Sequence, residues 1–294
     1  MNFPSYWPAL LALSRSKSST PVRIHTFLSC FPKAPASLSS ELELYRAALF
    51  QDPSERIQRR ELERAQQDLE QAIQLGIGIV DCWDPLYPYR LKNIASAPPL
   101  LFYRGHQIDW NSPRIGAIVG SRQASPEGLA FTQQIVQELS PHSITWVSGF
   151  ALGIDAAAHR AAIQSKAATW GVLAQDPRHI YPRTHETLSQ ELLSMPHNAL
   201  VSEQIGPAPF DPWAFKRRNR LIAGLADFAL LVESQDPSGS LITAQYAETF
   251  DRTLFAVPQH PSHVHARGPN GLIQQQRALL IQQGSDILRE MNWP

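Results

Sequence analysis

The sequence is poor in several residue types and patterns, and each shortage excludes a class of protein. Only two of the 294 residues are cysteines, Cys30 and Cys82, and they do not form a C-x-x-C pair. A disulfide framework is therefore excluded, and a reducing compartment is expected. No stretch approaches the roughly 18 apolar residues of a membrane helix, and the N-terminus lacks a basic segment followed by a long apolar core. We therefore expect a cytoplasmic protein with no membrane partner.

The chain also lacks an excess of charge of either sign, since it has 26 basic and 26 acidic residues. Any polyanionic partner must therefore be held by a local patch and not by the whole surface. Only five of the basic residues are lysines, and the others are arginines, whose planar guanidinium suits bidentate phosphate contacts. An arginine-preferring genome explains the same bias, so both interpretations stay open.

Motifs of familiar enzymes are missing, among them the P-loop, G-x-G-x-x-G, G-x-S-x-G and H-E-x-x-H. The sequence offers no assembled nucleophile and base, so we assign no catalytic residue and no cofactor and do not expect an enzyme. His260, His263 and His265 have a spacing that zinc accepts, but no cysteine or carboxylate lies near them in the sequence, so no metal site is expected. Asp155 and His159 favour a structural role, as helix N-cap and i,i+4 partner.

The apolar pattern divides the chain into three parts. Residues 1–76 are expected to form a small helical region, with helices near residues 39–50 and 55–75. Residues 77–112 contain a short strand at 78–80 and proline-rich stretches, and we expect them to form a connector packed on the main domain. Residues 113–294 are expected to form that main domain, with no separate domain after its last helix.

From residue 113 onward, short apolar runs alternate with helical segments. This alternation predicts parallel strands joined by crossover helices, and the nearly continuous apolar strands indicate a doubly wound α/β sheet with helices on both faces. The predicted strands are 115–119, 144–148, 169–174, 199–202, 228–233 and 254–257. The predicted helices are 126–139, 156–167, 186–193, 217–225 and 240–250.

The loops after these strands are expected to carry the functional site, because ligands bind outside the carboxyl ends of parallel strands. Glycines in them allow the backbone to approach a ligand, and the helix N-termini that follow attract anions, so a phosphate is the expected ligand. The candidate residues are Gly120, Ser121 and Arg122 after the first strand, Ser148 and Gly149 after the second, and Ser238, Gly239, Ser240 and Thr243 after the fifth.

Residues 210–220 mix cations with aromatic rings. The cations are Lys216, Arg217, Arg218 and Arg220, and the rings are Phe210, Trp213 and Phe215. This mixture is typical of proteins that bind single-stranded nucleic acid, in which cations hold the backbone and each base stacks on a ring for about 1–3 kcal/mol. For Phe215, packing onto the sheet is the favoured interpretation. Arg218 and Arg220 are predicted to open a helix, where the helix dipole repels cations unless an anion is bound.

Several motifs follow one another along the chain in a fixed order. They are I-V-G-S-R at 118–122, S-G-F-A-L-G-I-D at 148–155 with His159, Tyr181-Pro182, Ser202-Glu203, Phe215 with Arg218-Asn219-Arg220, and S-G-S-L-I-T-A at 238–244. Together they resemble the DNA-processing protein DprA (Smf) family, over roughly residues 67–288. The resemblance implies an extended Rossmann-like domain that binds single-stranded DNA without base preference, protects it and helps load the RecA recombinase during natural transformation. It also implies a homodimer with no reaction of its own.

The resemblance also implies which residues form the DNA pocket: Arg122, Arg183 and Arg218-Asn219-Arg220, with Lys216 and Arg217 added by adjacency. The arginines would neutralise successive phosphates, and Asn219 would bond a sugar or phosphate oxygen. The backbone amides of residues 238–240 would support the rim of the pocket. The chain departs from the family where glycine is usual, within 174–176 and at Asp251, Gln259 and Gln276, and these changes are expected to reshape loops near the pocket.

Two alternatives of other classes remain. One is a nucleotide-cleaving Rossmann-like enzyme, which resembles a nucleotide phosphoribohydrolase and uses a G-G-x-G-T-x-x-E loop. Here Tyr246 stands three residues after Thr243, in the place of that carboxylate. The other is an interaction scaffold with a degenerate pocket that binds no DNA.

Overall fold

The structure is a computed structural model, and it describes residues 3–15, 20–29, 31, 33–34, 59–207 and 211–294. The helix expected near residues 39–50 lies outside the described residues, as does Phe210. None of the helices in the described ranges is both long and apolar enough to cross a membrane.

Among the described residues, three helices precede the sheet: α1 (Trp7–Arg15), α2 (Pro21–Leu28) and α3 (Arg59–Gln74). Helix α2 begins at Pro21, because the Thr20 hydroxyl accepts a hydrogen bond from the Arg23 backbone N–H (3.3 Å) and a proline is favoured in the first turn. In α3, Ala65, Leu69 and Ala72 form one buried stripe in a core shared with α1 and α2. The expected amphipathic helix is therefore confirmed over its described part.

Within the described residues, nine strands form one sheet in the order β1-β2-β6-β5-β4-β3-β7-β8-β9. The strands are β1 (Gly78–Asp81), β2 (Leu100–Gly105), β3 (Ile115–Val119), β4 (Thr145–Ser148), β5 (Thr169–Val172), β6 (Ala199–Ser202), β7 (Phe228–Leu231), β8 (Thr253–Ala256) and β9 (Leu279–Leu280). All neighbours from β6 to β9 are parallel, whereas β1 and β2 add an antiparallel edge. The predicted mostly parallel, doubly wound sheet is confirmed.

Helices cover both faces of this sheet. They are α4 (Tyr89–Lys92), α5 (Pro126–Glu138), α6 (Ile154–Gln164), α7 (Glu186–Leu193), α8 (Pro212–Leu225), α9 (Gly239–Thr249), α10 (Arg267–Gln274) and α11 (Gly284–Glu290). Alternate residues of one strand enter different cores, since Ala117 and Val119 pack in the core of α8 and α9, whereas Ile118 packs in that of α5 and α6.

Residues 77–112 are joined to the sheet more closely than a connector on its surface would be. They supply β1 and β2, and Phe102 of β2 pairs directly with Ser202 of β6. Val80 and Leu101 enter the same apolar core as the strands after residue 113. The sequence interpretation missed β2 because Pro98 and Pro99 stand immediately before it, which hides a strand that begins just after them.

The order of the strands reverses between β3 and β7. From β3 the chain adds β4, β5 and β6 on one side, and it then returns to place β7, β8 and β9 on the other. The loops that follow all of these parallel strands lie at one edge of the sheet, which we call the carboxyl rim. In doubly wound folds, the crevice beside such a reversal is where ligands bind.

Candidate nucleic-acid interface

Two glycines of the carboxyl rim leave room for the protein's own side chains. A Cβ at Gly120 would lie 2.6 Å from Ile154 Cγ1. A Cβ at Gly149 would lie 2.6 Å from Asp155 Oδ2 and 2.8 Å from Arg218 Nη2. Glycine is therefore required at both positions by internal packing, whether or not a ligand approaches.

Helix α8 begins earlier than predicted. Asp211 caps it, because its Oδ1 accepts a hydrogen bond from the Trp213 backbone N–H (2.8 Å), and Pro212 occupies the first helical position. Arg218 and Arg220 therefore lie in the middle of the helix, beyond the first turn. The prediction that these arginines open a helix is wrong, because an Asp-Pro pair upstream supplies a stronger start signal.

Arg218, Asn219 and Arg220 are all buried, with 6%, 7% and 2% of their surfaces exposed. Arg218 donates through Nη1 to the backbone carbonyls of Gly149 and Val172. Asn219 donates through Nδ2 to the carbonyl of Gly239 (2.9 Å). Arg218 and Asn219 are thus bonded to different parts of the carboxyl rim.

Arg220 forms a two-pronged ion pair with Glu203, in the loop after β6. Its Nη1 and Nη2 lie 3.0 and 2.6 Å from the two carboxylate oxygens. Arg218 has an acidic neighbour as well, since the Asp155 carboxylate offsets its charge. Burial still lowers the pKa of Arg218 to about 10, because desolvation outweighs that attraction.

The exposed cations lie around a group of aromatic rings. The guanidinium carbon of Arg122 is 5.9 Å from the centroid of the Phe215 ring, and that ring is 5.6 Å from the ring of Tyr181. Arg183 is exposed and follows Tyr181 by two residues, on a 3₁₀ turn that spans Arg183–His185. The fold therefore brings Arg122 and Arg183 to the same part of the rim as α8.

The first turns of α8 add two more exposed cations. Lys216 Nζ lies 4.2 Å from the centroid of the Trp213 ring, and Trp213 is 64% exposed. Arg217 is exposed and pairs with Asp211 at 2.8 Å. We call this group of side chains the aromatic–basic face. It comprises the half-buried Phe215 and six exposed residues, Arg122, Tyr181, Arg183, Trp213, Lys216 and Arg217.

The N-terminus of α5, directly after Ser121 and Arg122, is already occupied by a carboxylate. Glu233 is fully buried, and its Oε2 accepts a hydrogen bond from the Ser125 backbone N–H (3.0 Å) while Oε1 accepts from the Ser125 hydroxyl. The Ser125 hydroxyl also caps the helix by accepting from the Gly128 N–H (3.0 Å). The positive end of the α5 dipole is therefore neutralised within the protein.

The other serine-rich turn of the rim is arranged differently. The hydroxyls of Ser234, Ser238 and Ser240 bond to one another at 2.5, 2.9 and 2.9 Å, and Ser238 caps α9. Gly239 is exposed, and a Cβ there would meet nothing within 4 Å. Thr243, by contrast, is buried one turn further along α9. Ser148 is buried as well, with its hydroxyl bonded to the Ile118 carbonyl (2.6 Å).

Asp155 and His159 do not pair as their spacing predicts. The N-cap of α6 is Gly153, at a φ of 75°, so Asp155 falls in the first turn and its Oδ2 accepts a hydrogen bond from the Ala151 N–H (3.3 Å). His159 Nδ1 instead lies 2.7 Å from the Thr169 hydroxyl. Both the N-cap and the i,i+4 predictions are wrong, because the left-handed glycine shifts the start of the helix.

The three histidines of the 260–265 loop have an acidic neighbour that the sequence does not reveal. Glu233 Oε1 lies 3.9 Å from His263 Nε2, and the rings of His263 and His265 are 5.6 Å apart. Among the described residues, however, no group of three or more histidine, cysteine, aspartate or glutamate side chains is arranged to hold a metal ion.

The four positions at which this chain lacks the family's usual glycine are divided between the amino ends and the carboxyl ends of the strands. Asp251 and Gln276 stand before β8 and β9, at the amino ends of the strands, and they keep left-handed φ values of 54° and 57°. They cannot reshape the carboxyl rim, so that expectation is wrong for these two. Asp176 and Gln259 do lie at the rim, where they bond the Gly206 N–H (2.7 Å) and the Val232 carbonyl (3.1 Å).

The reversal in strand order and the aromatic–basic face beside it define a Rossmann-like α/β protein with a cationic rim. Comparisons with known proteins identify the family to which the chain belongs within this class. The family model for DNA recombination-mediator protein A matches residues 78–292. The chain is 36% identical to the DNA processing protein DprA of Bacillus subtilis over 216 residues, which is 74% of this chain and 72% of the relative. The chain therefore belongs to the DNA recombination-mediator protein A family, as the motifs predict.

Solved structures agree with this assignment. The crystal structure of DprA from Streptococcus pneumoniae covers 98% of this chain and 93% of its own, with a TM-score of 0.71 and 28% identity. A DNA processing protein A from Helicobacter pylori, described for its single-stranded DNA binding mode, has the same fold, with a TM-score of 0.64 and 23% identity over 73% of this chain and 95% of its own.

Proposed function

We propose that this protein binds single-stranded DNA without base preference, along the aromatic–basic face. One observation carries the proposal: exposed cations lie beside aromatic rings at the carboxyl rim, with Lys216 next to the exposed ring of Trp213 and Arg122 next to the half-buried ring of Phe215. Unpaired DNA requires both chemistries, since its phosphates need positive charge and its bases need flat apolar surfaces. The single-stranded DNA binding of the Helicobacter pylori relative supports the same assignment.

The exposure of each side chain indicates whether it would contact the DNA, and its chemistry indicates whether it would contact a phosphate or a base. Arg122, Arg183, Lys216 and Arg217 would neutralise phosphates, while Trp213 and Tyr181, which is 51% exposed, would stack bases. The exposed backbone at Gly239 is where the α9 N-terminus would approach a phosphate. DNA contacts by Gly120, Ser121, Ser148, Gly149, Ser238, Ser240 and Thr243, and by the three buried residues of α8, stay predictions.

The cellular role follows from the family. We propose that the chain protects single-stranded DNA and helps load RecA during recombination in the cytoplasm, acting as a homodimer and not as an enzyme. The edge strand β9 supports a self-association surface, because Leu279 and Leu280 are 45% and 47% exposed there. An apolar strand at a sheet edge presents both side chains and backbone groups to a second copy.

The two alternatives gain no observation in their favour. For a nucleotide-cleaving enzyme, Tyr246 still replaces the carboxylate, and Glu233 fills the α5 N-terminus where a nucleotide phosphate would bind. A scaffold that binds no DNA would not explain why cations are exposed at the rim.

A fluorescence-anisotropy titration with labelled oligo-dT at several salt concentrations tests the proposal. We expect binding whose log Kd rises with log salt by about 0.7 for each phosphate neutralised.

Arg122→Ala should weaken binding to any base sequence and reduce this slope by about 0.7, because the side chain would contact phosphate and not base edges. Arg289→Ala, an exposed arginine of α11, is the matched control and should leave the slope unchanged. No binding by the wild type, or release of free base from a nucleotide, would refute the proposal.

A further inference from the structure

We infer that Arg218, Asn219 and Arg220 position the aromatic–basic face from beneath and do not touch the DNA. The inference rests on the proposed function, because the face that they hold is the proposed DNA-binding surface. It assigns a positioning role to three residues for which charge and motif suggest direct contacts with the DNA backbone.

The first argument is the direction of the three side chains. Successive residues of a helix point about 100° apart, so three in a row reach three separate neighbours. Arg218 bonds the carbonyls at the ends of β4 and β5, Asn219 bonds the start of α9, and Arg220 bonds Glu203 after β6. One turn of α8 thereby ties together the loops after three strands and the N-terminus of the next helix.

The second argument is that both guanidinium groups are buried and bonded to protein acceptors, with the buried Nε of Arg220 left without a partner among the described residues. Arg220 has a side chain that is 3% exposed, and both terminal nitrogens bond the Glu203 carboxylate. A phosphate could reach this guanidinium only by displacing a bidentate carboxylate from a buried site, which leaves that carboxylate unpaired at a high cost. Arg218 is also buried, at 6% exposure, and its Nη1 bonds two backbone carbonyls.

The third argument is what these residues hold in place. Phe215 lies one turn before Arg218 on the same helix, and its ring contacts both Arg122 and Tyr181. The position of α8 against the rim therefore sets where Phe215 stands, and with it the spacing between the exposed cations. A loss of the Arg220–Glu203 pair should disturb the face without removing any group that meets DNA.

Glu203→Gln separates the two roles, because it keeps the size of the side chain and removes only its charge. If Arg220 positions α8, this variant should weaken oligo-dT binding about tenfold and keep the wild-type salt slope. If Arg220 instead contacts phosphate, removal of its carboxylate partner should strengthen binding and steepen the slope. The exchanged pair Arg220→Glu with Glu203→Arg should recover affinity only if the pair itself is what matters.

Arg220→Ala completes the test, with folding checked by circular dichroism at the titration temperature. A reduction of its salt slope by about 0.7, as expected for Arg122→Ala, would overturn the inference while leaving the proposed function intact. Unchanged affinity in a folded Glu203→Gln protein would overturn it as well. Where Arg220→Ala does not fold, the sign of the Glu203→Gln effect decides. Absence of binding by the wild type is a different outcome, since it removes the proposed function and the inference with it.

Discussion

Among the described aromatic side chains at the carboxyl rim, Trp213 is the most exposed, with 64% of its surface accessible. Rings of this size usually bury most of their surface, because water contact with a large apolar area is unfavourable. Lys216 lies over one part of the ring, at 4.2 Å from its centroid, so a cation and a stacking surface are combined in one place. We therefore expect a base to stack on Trp213 with its phosphate near Lys216.

At the residue scale, Trp213→Ala should weaken binding to oligo-dT and oligo-dA alike by about five- to 150-fold, since each stacked base is worth about 1–3 kcal/mol. The salt slope should not change, because no charge is lost. Trp213→Phe keeps a ring and should recover most of the affinity in the same anisotropy titration. Tyr89→Ala removes an exposed ring next to the Arg90–Asp227 pair, at the amino ends of the strands, and should have no effect. Equal losses in both alanine variants would contradict a specific stacking role.

At the scale of elements, α5 is joined to β7 through one capping serine. The Ser125 hydroxyl accepts from the Gly128 N–H and donates to Glu233, which follows β7 and is fully buried. A buried carboxylate is tolerated only when donors surround it, and here the helix N-terminus and the hydroxyl provide them. The start of the first crossover helix and the strand at the reversal point are thus held by the same hydrogen bonds.

Ser125→Ala should therefore lower the free energy of unfolding by about 1–3 kcal/mol, which combines the loss of a helix cap with the loss of one donor to a buried carboxylate. Urea denaturation followed by circular dichroism measures this change. Ser194→Ala is the control, since Ser194 is exposed after α7 and its hydroxyl bonds only the Glu191 carbonyl (2.7 Å). That variant should stay within about 0.5 kcal/mol of the wild type. A Ser125→Ala protein as stable as the control would show that Glu233 finds another donor.

For the whole molecule, His159 links stability to pH. It lies fully buried between α6 and β5, and burial, with smaller contributions from nearby positive charge, lowers its pKa from 6.5 to about 3. The unfolded chain binds a proton at this residue as pH falls through about 6.5, whereas the folded chain does so only near pH 3. This stabilisation is therefore fully present above pH 6.5 and is lost progressively between pH 6.5 and 3.

We expect this residue alone to make the protein about 2 kcal/mol less stable at pH 5.0 than at pH 7.5. Urea unfolding of the wild type and of His159→Gln at both pH values isolates the effect. The difference between the two pH values should shrink by that amount in the variant, even if the variant is less stable throughout. An identical pH dependence in the two proteins would mean that His159 titrates normally in the folded state.

Local sequence patterns were enough to predict the central strands and the location of the rim. Strands β3 and β6 have their predicted bounds, because each is an unbroken apolar run between turn residues, and a pattern of that kind is local. The alternation of strands and helices then places the ends of the parallel strands at one edge, whatever the details of packing. Family membership follows from the motifs in those loops, because each motif is a short contiguous stretch of sequence.

Which basic residues face the solvent became visible only in the packed fold. Arg217 and Arg218 are neighbours in the sequence, yet one is exposed and the other is buried against the ends of β4 and β5. The partners responsible lie far away in sequence: Glu203 is 17 residues from Arg220, and Glu233 is 108 residues from Ser125. Burial and ion pairing depend on such distant contacts, whereas periodicity reports only on neighbours within a few turns. A count of positive charges therefore indicated a basic segment but could not tell its exposed arginines from its buried ones.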